Sequence, residues 1–415
     1  MESPSEVIKV LIVDDSSVVR KFISSAIEGC KELQVVGEAA NGKEALELLG
    51  RLQPDIITLD VEMPVMDGIE TLGHIRRKDR KVPIVMFSTL TERGARVTLE
   101  ALSRGANDYI AKPSSLGGKK NAADLAVEEI RQKLVVHGRL KKGTGVPPGA
   151  SGKDVPAVPR VTSMGTQTPT SAGTSLPRST SVLSNDRANT VAAPNAPVSK
   201  PHLYTNEPVK LREVRRHTPF KALGIGVSTG GPNAMAEIFK DLRVPFGVPV
   251  FITQHMPPVF TKMFAEKLKH VSGLEVFEAV SGQPIRAGEI YVAPGGYHMV
   301  INETKDGLTI GLNEDPPENS CRPAVDVMFR SLVKVYGASV LGLVLTGMGS
   351  DGLRGAEVIV KAGGEVVAQD EATSAVWGMP GAVAHAGLAS SLLPLEAISS
   401  ELKRKLPIKG REVSS

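Results

Sequence analysis

VIKVLIVDD, residues 7–15, is an apolar run that ends on two aspartates. Four similar runs follow: LQVVGEA (33–39), DIITLD (55–60), VPIVMFS (82–88) and DYIAKP (108–113). Between them apolar residues recur with helical spacing, as in Val18, Val19, Phe22, Ile23, Ala26 and Ile27, and in Ala45, Leu46, Leu48 and Leu49. Five short strands alternating with helices predict a parallel, doubly wound sheet covered on both faces. In such a sheet the functional site lies beyond the carboxyl ends of the strands.

Polar residues collect at that edge. Asp14 and Asp15 follow the first strand, Asp60 the third, Ser88 ends the fourth and Lys112 the fifth. Three converging carboxylates repel unless a divalent cation sits among them, and an all-oxygen set suits Mg²⁺, which can also bridge to a phosphoryl oxygen. A lysine and a hydroxyl would serve the remaining phosphoryl oxygens. The plainer alternative is that Asp14 and Asp15 only cap the first helix.

Residues 217–407 repeat the alternation in a longer form. Strands are expected at ALGIGVS (222–228), PVFITQH (249–255), EIYVAP (289–294), HMVIN (298–302), LTIGL (308–312), ASVLGLVLTG (338–347), EVVAQD (365–370) and AGLASSLL (386–393). Helices fit 232–242, 258–270, 322–336 and 352–362. The first of these strands runs into Gly226-x-Ser228-x-Gly230, the strand–turn–helix elbow that projects a serine hydroxyl over a sheet. A helix entry of this kind also offers backbone N–H groups to an oxyanion, although many glycine-rich entries are only tight turns. A serine nucleophile needs a base and an orienting acid. His255 and Asp351 stand at two further strand ends; His298 is a rival base and Cys321 a rival nucleophile. The order Ser…His…Asp differs from those of α/β-hydrolases, chymotrypsin-like and subtilisin-like enzymes. Gly347-x-Gly349-x-x-Gly352 with Asp370 formally matches a dinucleotide fingerprint, but that fingerprint normally opens its domain. Leu353 excludes a P-loop, which needs lysine there.

Residues 138–216 differ from both flanks. They are rich in Pro, Ser, Thr, Gly and Ala without sustained periodicity, and read as a disordered linker. They hold 12 Lys and Arg against 4 Asp and Glu, so with +4 overall the remaining chain is net −4. Basicity therefore does not point to a nucleic-acid partner. No run of 18 apolar residues predicts a membrane span, and the opening residues do not read as a signal peptide. Two cysteines make neither a disulfide framework nor a four-cysteine zinc site. A cytoplasmic protein without membrane insertion is expected.

With these motifs assembled, residues 6–130 closely resemble a response-regulator receiver domain. The stretches GIGVSTGGP, ITQHMPPVFT, YVAPGGYH, CRPAVDVMF and LTGMGSDG, placed after a receiver, resemble the chemotaxis methylesterase family, CheB, over nearly the full chain. The resemblance implies a flavodoxin-like receiver and a Rossmann-like catalytic domain, both doubly wound parallel-sheet α/β units. It implies Asp60 as phospho-acceptor and Asp14, Asp15, Asp60 and the Val61 backbone as Mg²⁺ ligands. Ser88, Tyr109 and Lys112 would be the switch residues. It assigns Ser228, His255 and Asp351 as the triad, with Thr229 and Met348 at the oxyanion site and no cofactor for hydrolysis. The implied substrates are glutamyl methyl esters, and glutamines, on the cytoplasmic domains of methylated chemoreceptors. The implied activator is a chemotaxis histidine kinase.

Overall fold

The computed structural model describes residues 7–113, 120–142, 209–214 and 218–409. Most of the expected linker lies outside the described residues. The first unit runs β1 (Ile8–Val13), α1 (Ser17–Ile27), β2 (Leu33–Ala39), α2 (Gly42–Leu52), β3 (Ile56–Asp60), α3 (Gly68–Lys78), β4 (Ile84–Ser88), α4 (Glu92–Ser103), β5 (Asp108–Ala111) and α5 (Lys120–Lys142). Its sheet has the order β2-β1-β3-β4-β5, parallel throughout. Side chains start the helices. Ser16, Asn41, Asp67 and Thr91 accept from Val19, Glu44, Glu70 and Gly94 N–H, and so satisfy donors the helix itself leaves open. Ser16 is thus the cap of α1. Asp14 instead accepts from the Ser16 N–H at 2.9 Å and keeps its other oxygen for the site.

The receiver-like unit does not end near 130, nor the linker begin at 138. Helix α5 runs on to Lys142, and past residue 130 it buries Leu134 and Val135 in the core cluster that holds Ile8 and Val10. His137 is buried with them, its Nε2 3.2 Å from Asp108. Residues 209–214, also assigned to the linker, are in part held. Arg212 donates its backbone N–H to Ala389 O at 2.8 Å and a guanidinium N–H to Gly364 O at 3.2 Å.

The second unit runs β6 (Ala222–Val227), α6 (Gly231–Asp241), β7 (Val250–Gln254), α7 (Phe260–Ser272), β8 (Glu275–Glu278), β9 (Glu289–Val292), β10 (His298–Thr304), β11 (Gly307–Asn313), α8 (Val325–Tyr336), β12 (Val340–Val344), α9 (Leu353–Lys361), β13 (Glu365–Gln369), α10 (Met379–His385), β14 (Ser391–Leu393) and α11 (Leu395–Lys405). Seven strands form a parallel sheet in the order β14-β13-β12-β6-β7-β9-β8. From β6 the chain works outward through β7, then returns to place β12 on the other side. The crevice between β6 and β12 is therefore the topological switch point, where ligands collect in open parallel sheets.

Three details differ from the sequence reading. HMVIN and LTIGL pair only with each other, as the antiparallel hairpin β10–β11 beside the main sheet. The edge strand β8 was not anticipated: its burial is partial, so its apolar signal is weak. Helices α10 and α11 were also missed. The first is seven residues long and carries Pro380 and Gly381. The second does show helical spacing in Leu395, Ile398 and Leu402.

Candidate active site

Ser228 and His255 each sit one residue beyond a central strand, and Asp351 lies in the loop after a third. Strand β6 delivers Ser228 into a tight entry to α6. The turn needs a left-handed residue at its end, supplied by Gly230 at φ 77°. The Ser228 N–H donates to Thr346 O at 3.0 Å and its carbonyl accepts from Gly231 N–H at 2.8 Å, which fixes the elbow between β6 and the β12 loop. Thr346 adds a hydroxyl bond to Thr229 O at 2.9 Å. Gly347 leaves the necessary space: a Cβ there would lie 2.8 Å from Ser228 Cβ and clash with Met379. Among the described residues neither the Thr229 nor the Met348 N–H donates a hydrogen bond.

Strand β7 delivers His255. Its Nε2 lies 2.7 Å from Asp351 Oδ2. Asp351 follows β12 and is buried. Its oxygens also accept from the N–H groups of Val325 (2.6 Å), Asp326 (3.0 Å) and Gly352 (3.0 Å), and from Asn319 Nδ2 (2.9 Å). Burial opposes its ionisation, but the His255 bond and the Val325 and Asp326 donors outweigh it and hold Asp351 below the usual carboxylate range. Burial likewise opposes the His255 cation. Cys321 and Asp351 overcome that, and the imidazole is held well above its ordinary pKa.

The fold brings His255 and Asp351 together; it does not close a Ser228–His255 bond. Among the described residues Ser228 Oγ makes no hydrogen bond, and His255 Nδ1 faces Cys321 Sγ at 3.5 Å. Open geometry at this bond is common without substrate. Cys321 lies beside the imidazole, off the glycine elbow. His298, the rival base, is buried in β10, with Nδ1 accepting from Ala324 N–H at 3.2 Å and Nε2 3.2 Å from Pro316 O. Both ring nitrogens are engaged in holding the loop between β11 and α8. Asp370 accepts from Thr373 N–H and Oγ1 at 3.0 and 2.6 Å, closing a turn of its own, which disfavours the dinucleotide reading.

Sequence reasoning missed the supporting shell. Gln254 is buried and its Nε2 donates to Ser228 O at 3.0 Å and to His255 O at 3.3 Å, tying these two candidates together through their backbones. Its position beside His255 was the only available signal. Asn319 and Asp326, which support Asp351, come from a loop and a helix far from it in sequence.

At the receiver-like edge, Lys112 Nζ lies 2.8 Å from both Asp14 Oδ2 and Asp60 Oδ2. Acceptor atoms of Asp14, Asp15 and Asp60 fall within 4.8 Å of one another. Asp60 Oδ1 accepts from the Val61 N–H at 2.7 Å, and the Val61 carbonyl accepts from Gly68 N–H at 3.0 Å. Burial, then the Asp14 charge, pushes the Asp60 pKa up to about 6 against the pull of Lys112. One lysine does not neutralise three carboxylates, so the oxygen set fits a small divalent cation. Ser88 is buried in the same rim, its Oγ 3.4 Å from Thr89 O. Tyr109 is also buried; burial and the charges of Glu129 and Asp108 raise its hydroxyl pKa. Its ring stacks on Phe260 of α7, centroids 4.8 Å apart and 8° from parallel.

Residues 223–402 match the family model described as CheB methylesterase, and residues 10–121 that of the response regulator receiver domain. A protein-glutamate methylesterase/protein-glutamine glutaminase of Nocardioides sp. is 43% identical over 399 residues, covering 96% of this chain and 95% of that protein. The chain belongs to the CheB methylesterase family. A second family member with the same name, from Trichodesmium erythraeum, is 41% identical over 398 residues, covering 96% and 99% of the two chains. The crystal structure of the Thermotoga maritima CheB methylesterase catalytic domain is 37% identical, with a TM-score of 0.43, and covers 45% of this chain and 98% of that one. In this CheB-family chain the receiver domain precedes the methylesterase domain, each built on its own parallel sheet. No helix among the described residues is long and apolar enough to cross a membrane.

Proposed function

We propose that the chain is a phosphorylation-controlled cytoplasmic esterase that hydrolyses glutamyl methyl esters on the cytoplasmic domains of chemoreceptors, and deamidates receptor glutamines at the same site. The observation that supports this reading is the His255–Asp351 bond at 2.7 Å, made at the end of β7, beside the end of β6 that carries Ser228.

Ser228 Oγ attacks the acyl carbon while the neutral form of His255 takes its proton, so turnover rises with pH through the raised His255 pKa. Asp351 occupies Nε2, so Nδ1 is the nitrogen left for that proton, and substrate entry must draw it from Cys321 toward Ser228. The N–H groups of Thr229 and Met348 stabilise the oxyanion. His255 then protonates the leaving methoxide, or the leaving amine, and activates the water that frees the glutamate. No cofactor enters these steps. Asp351 keeps the imidazole oriented and stabilises its cation.

Control lies in the receiver. Asp60 accepts a phosphoryl group from a histidine kinase, and Ser88 and Lys112 hold the phosphoryl oxygens. Asp14, Asp15, Asp60 and the Val61 carbonyl would hold Mg²⁺, which supplies charge neutralisation to the incoming phosphoryl group. The contact that supports coupling is Tyr109 against Phe260, five residues beyond His255. Replacing Ser228 with Ala tests the chemistry. Methanol release from methylated receptor membranes is expected to fall on the order of 10⁴-fold or more in folded protein. Turnover near wild type would remove Ser228 as nucleophile.

A further inference from the structure

Asp351 is not held by backbone alone. The loop from β11 to α8 folds back at Glu318 and Cys321, which exchange backbone hydrogen bonds at 3.1 and 2.9 Å. Between them Asn319 and Ser320 both have positive φ, 53° and 63°. That is the pair of left-handed residues a type I′ turn requires, and serine is a costly choice for the second. The Glu318–Arg330 ion pair anchors the turn to α8. The turn itself is exposed, yet its Asn319 amide reaches a buried pair of carboxylates. Nδ2 lies 2.9 Å from Asp351 Oδ1 and 2.9 Å from Asp326 Oδ2.

Asp326 is fully buried in the first turn of α8. Its other oxygen accepts from Gly355 N–H in α9 at 2.6 Å, and its own N–H donates to Asp351. It links three pieces of chain: the 318–321 turn, the start of α8 and the start of α9. None of the hydrolytic steps uses it. Burial, then the Asp351 charge, pushes its pKa to about 7, so the two carboxylates share an environment that tolerates one negative charge more easily than two.

We propose that Asn319 and Asp326 are positioning residues for the triad, and that the Asn319 amide, aimed by the strained turn, keeps the buried carboxylate pair deprotonated on the side that faces His255. This rests on the reading of Asp351 as the acid that orients His255. An amide donor shared by two carboxylates screens their repulsion and favours the ionised Asp351. Its loss makes the pair easier to protonate, and a protonated Asp351 no longer supports the imidazole. The other charged or titratable groups facing the pair are His255 beyond β7, Glu318 and Cys321 in the loop, and Arg330 on α8.

Asn319→Gly separates this role from turn propensity, since glycine satisfies the positive φ while removing the amide. Its esterase kcat, measured as methanol release from methylated receptor membranes, is expected to fall about tenfold. The acid limb of its kcat/KM profile is expected to move to higher pH, with the thermal midpoint near wild type. Asn319→Asp keeps the turn but adds a third carboxylate, and should lower kcat further and move the limb further. Wild-type kcat and an unmoved acid limb in both variants, with Ser228→Ala inactive, would overturn the positioning role and leave the triad intact. An active Ser228→Ala protein would take down the triad and this inference with it.

Discussion

Lys267 offers a way to loosen the receiver without touching either site. It lies on α7, and its ammonium donates to Leu99 O at 2.9 Å and to Ser103 Oγ, both on receiver helix α4. Burial lowers its pKa, so the fold holds a partly desolvated cation at this contact. A hydrogen bond from a charged group contributes about 1.5–3 kcal/mol. Discounted for partial exposure, roughly 1–2 kcal/mol is at stake. The neighbouring Lys262–Glu92 pair, 3.0 Å apart and exposed on both sides, adds little. If the receiver inhibits by docking here, Lys267→Ala reduces the ratio of docked to free receiver by about 5- to 30-fold. Unphosphorylated protein should then hydrolyse receptor methyl esters faster by up to that factor, while the rate with a small-molecule phosphodonor stays near wild type. The assay is methanol release from methylated receptor membranes with and without the phosphodonor. An unchanged basal rate in folded Lys267→Ala protein would refute inhibition through the α4–α7 contact.

Asp60→Asn should abolish uptake of phosphate from a phosphodonor and leave only basal esterase activity. Its effect on stability has a definite sign. Folding raises the Asp60 pKa from 3.8 to about 6, so the fold penalises the carboxylate above pH 6 and not below about pH 4. In chelator, Asp60→Asn should melt higher than wild type at pH 7–8, with the gain shrinking as pH falls from 6 to 4; equal midpoints at pH 7 would contradict this. Gly347→Ala places a methyl 2.8 Å from Ser228 Cβ, so it should depress kcat strongly at a stability cost of about 1–3 kcal/mol; a variant with normal kcat would mean the elbow has room the structure lacks.

Much of the architecture was legible because parallel strands buried on both faces leave an unmistakable apolar run, each ending at the functional edge. Asp60, Ser228 and Asp351 could be placed at strand ends from such runs alone. Legibility failed where burial is partial or spacing short, as in β8 and α10. It also failed where a segment such as HMVIN is apolar enough for the main sheet but hydrogen-bonds only to its hairpin partner. The expected limit near 130 falls inside α5, which buries Leu134 and Val135 beyond it and runs on to Lys142. The supporting groups were invisible for a different reason. Asn319 reaches Asp351 through a reversal of chain direction, and no periodicity records where a turn aims its side chain.

The two candidate sites occupy the same kind of sheet edge but differ in electrostatics. At both edges carboxylates gather where helix N-termini converge, and the difference lies in how many donors each carboxylate meets. Asp60 has the Val61 N–H and a share of Lys112; Asp14 has the Ser16 N–H and the rest of that lysine. Their repulsion is left partly unanswered, which is why Asp60 is pushed up rather than down. A cation is the remaining remedy. Asp351 instead meets His255, Asn319 and the N–H groups of Val325, Asp326 and Gly352. Those donors are fixed in place, so it stays ionised without a metal and can hold an imidazole in one orientation. In this second pair it is Asp326, away from His255, whose pKa rises to about 7, so a proton taken up by the pair goes there and the charge stays on Asp351.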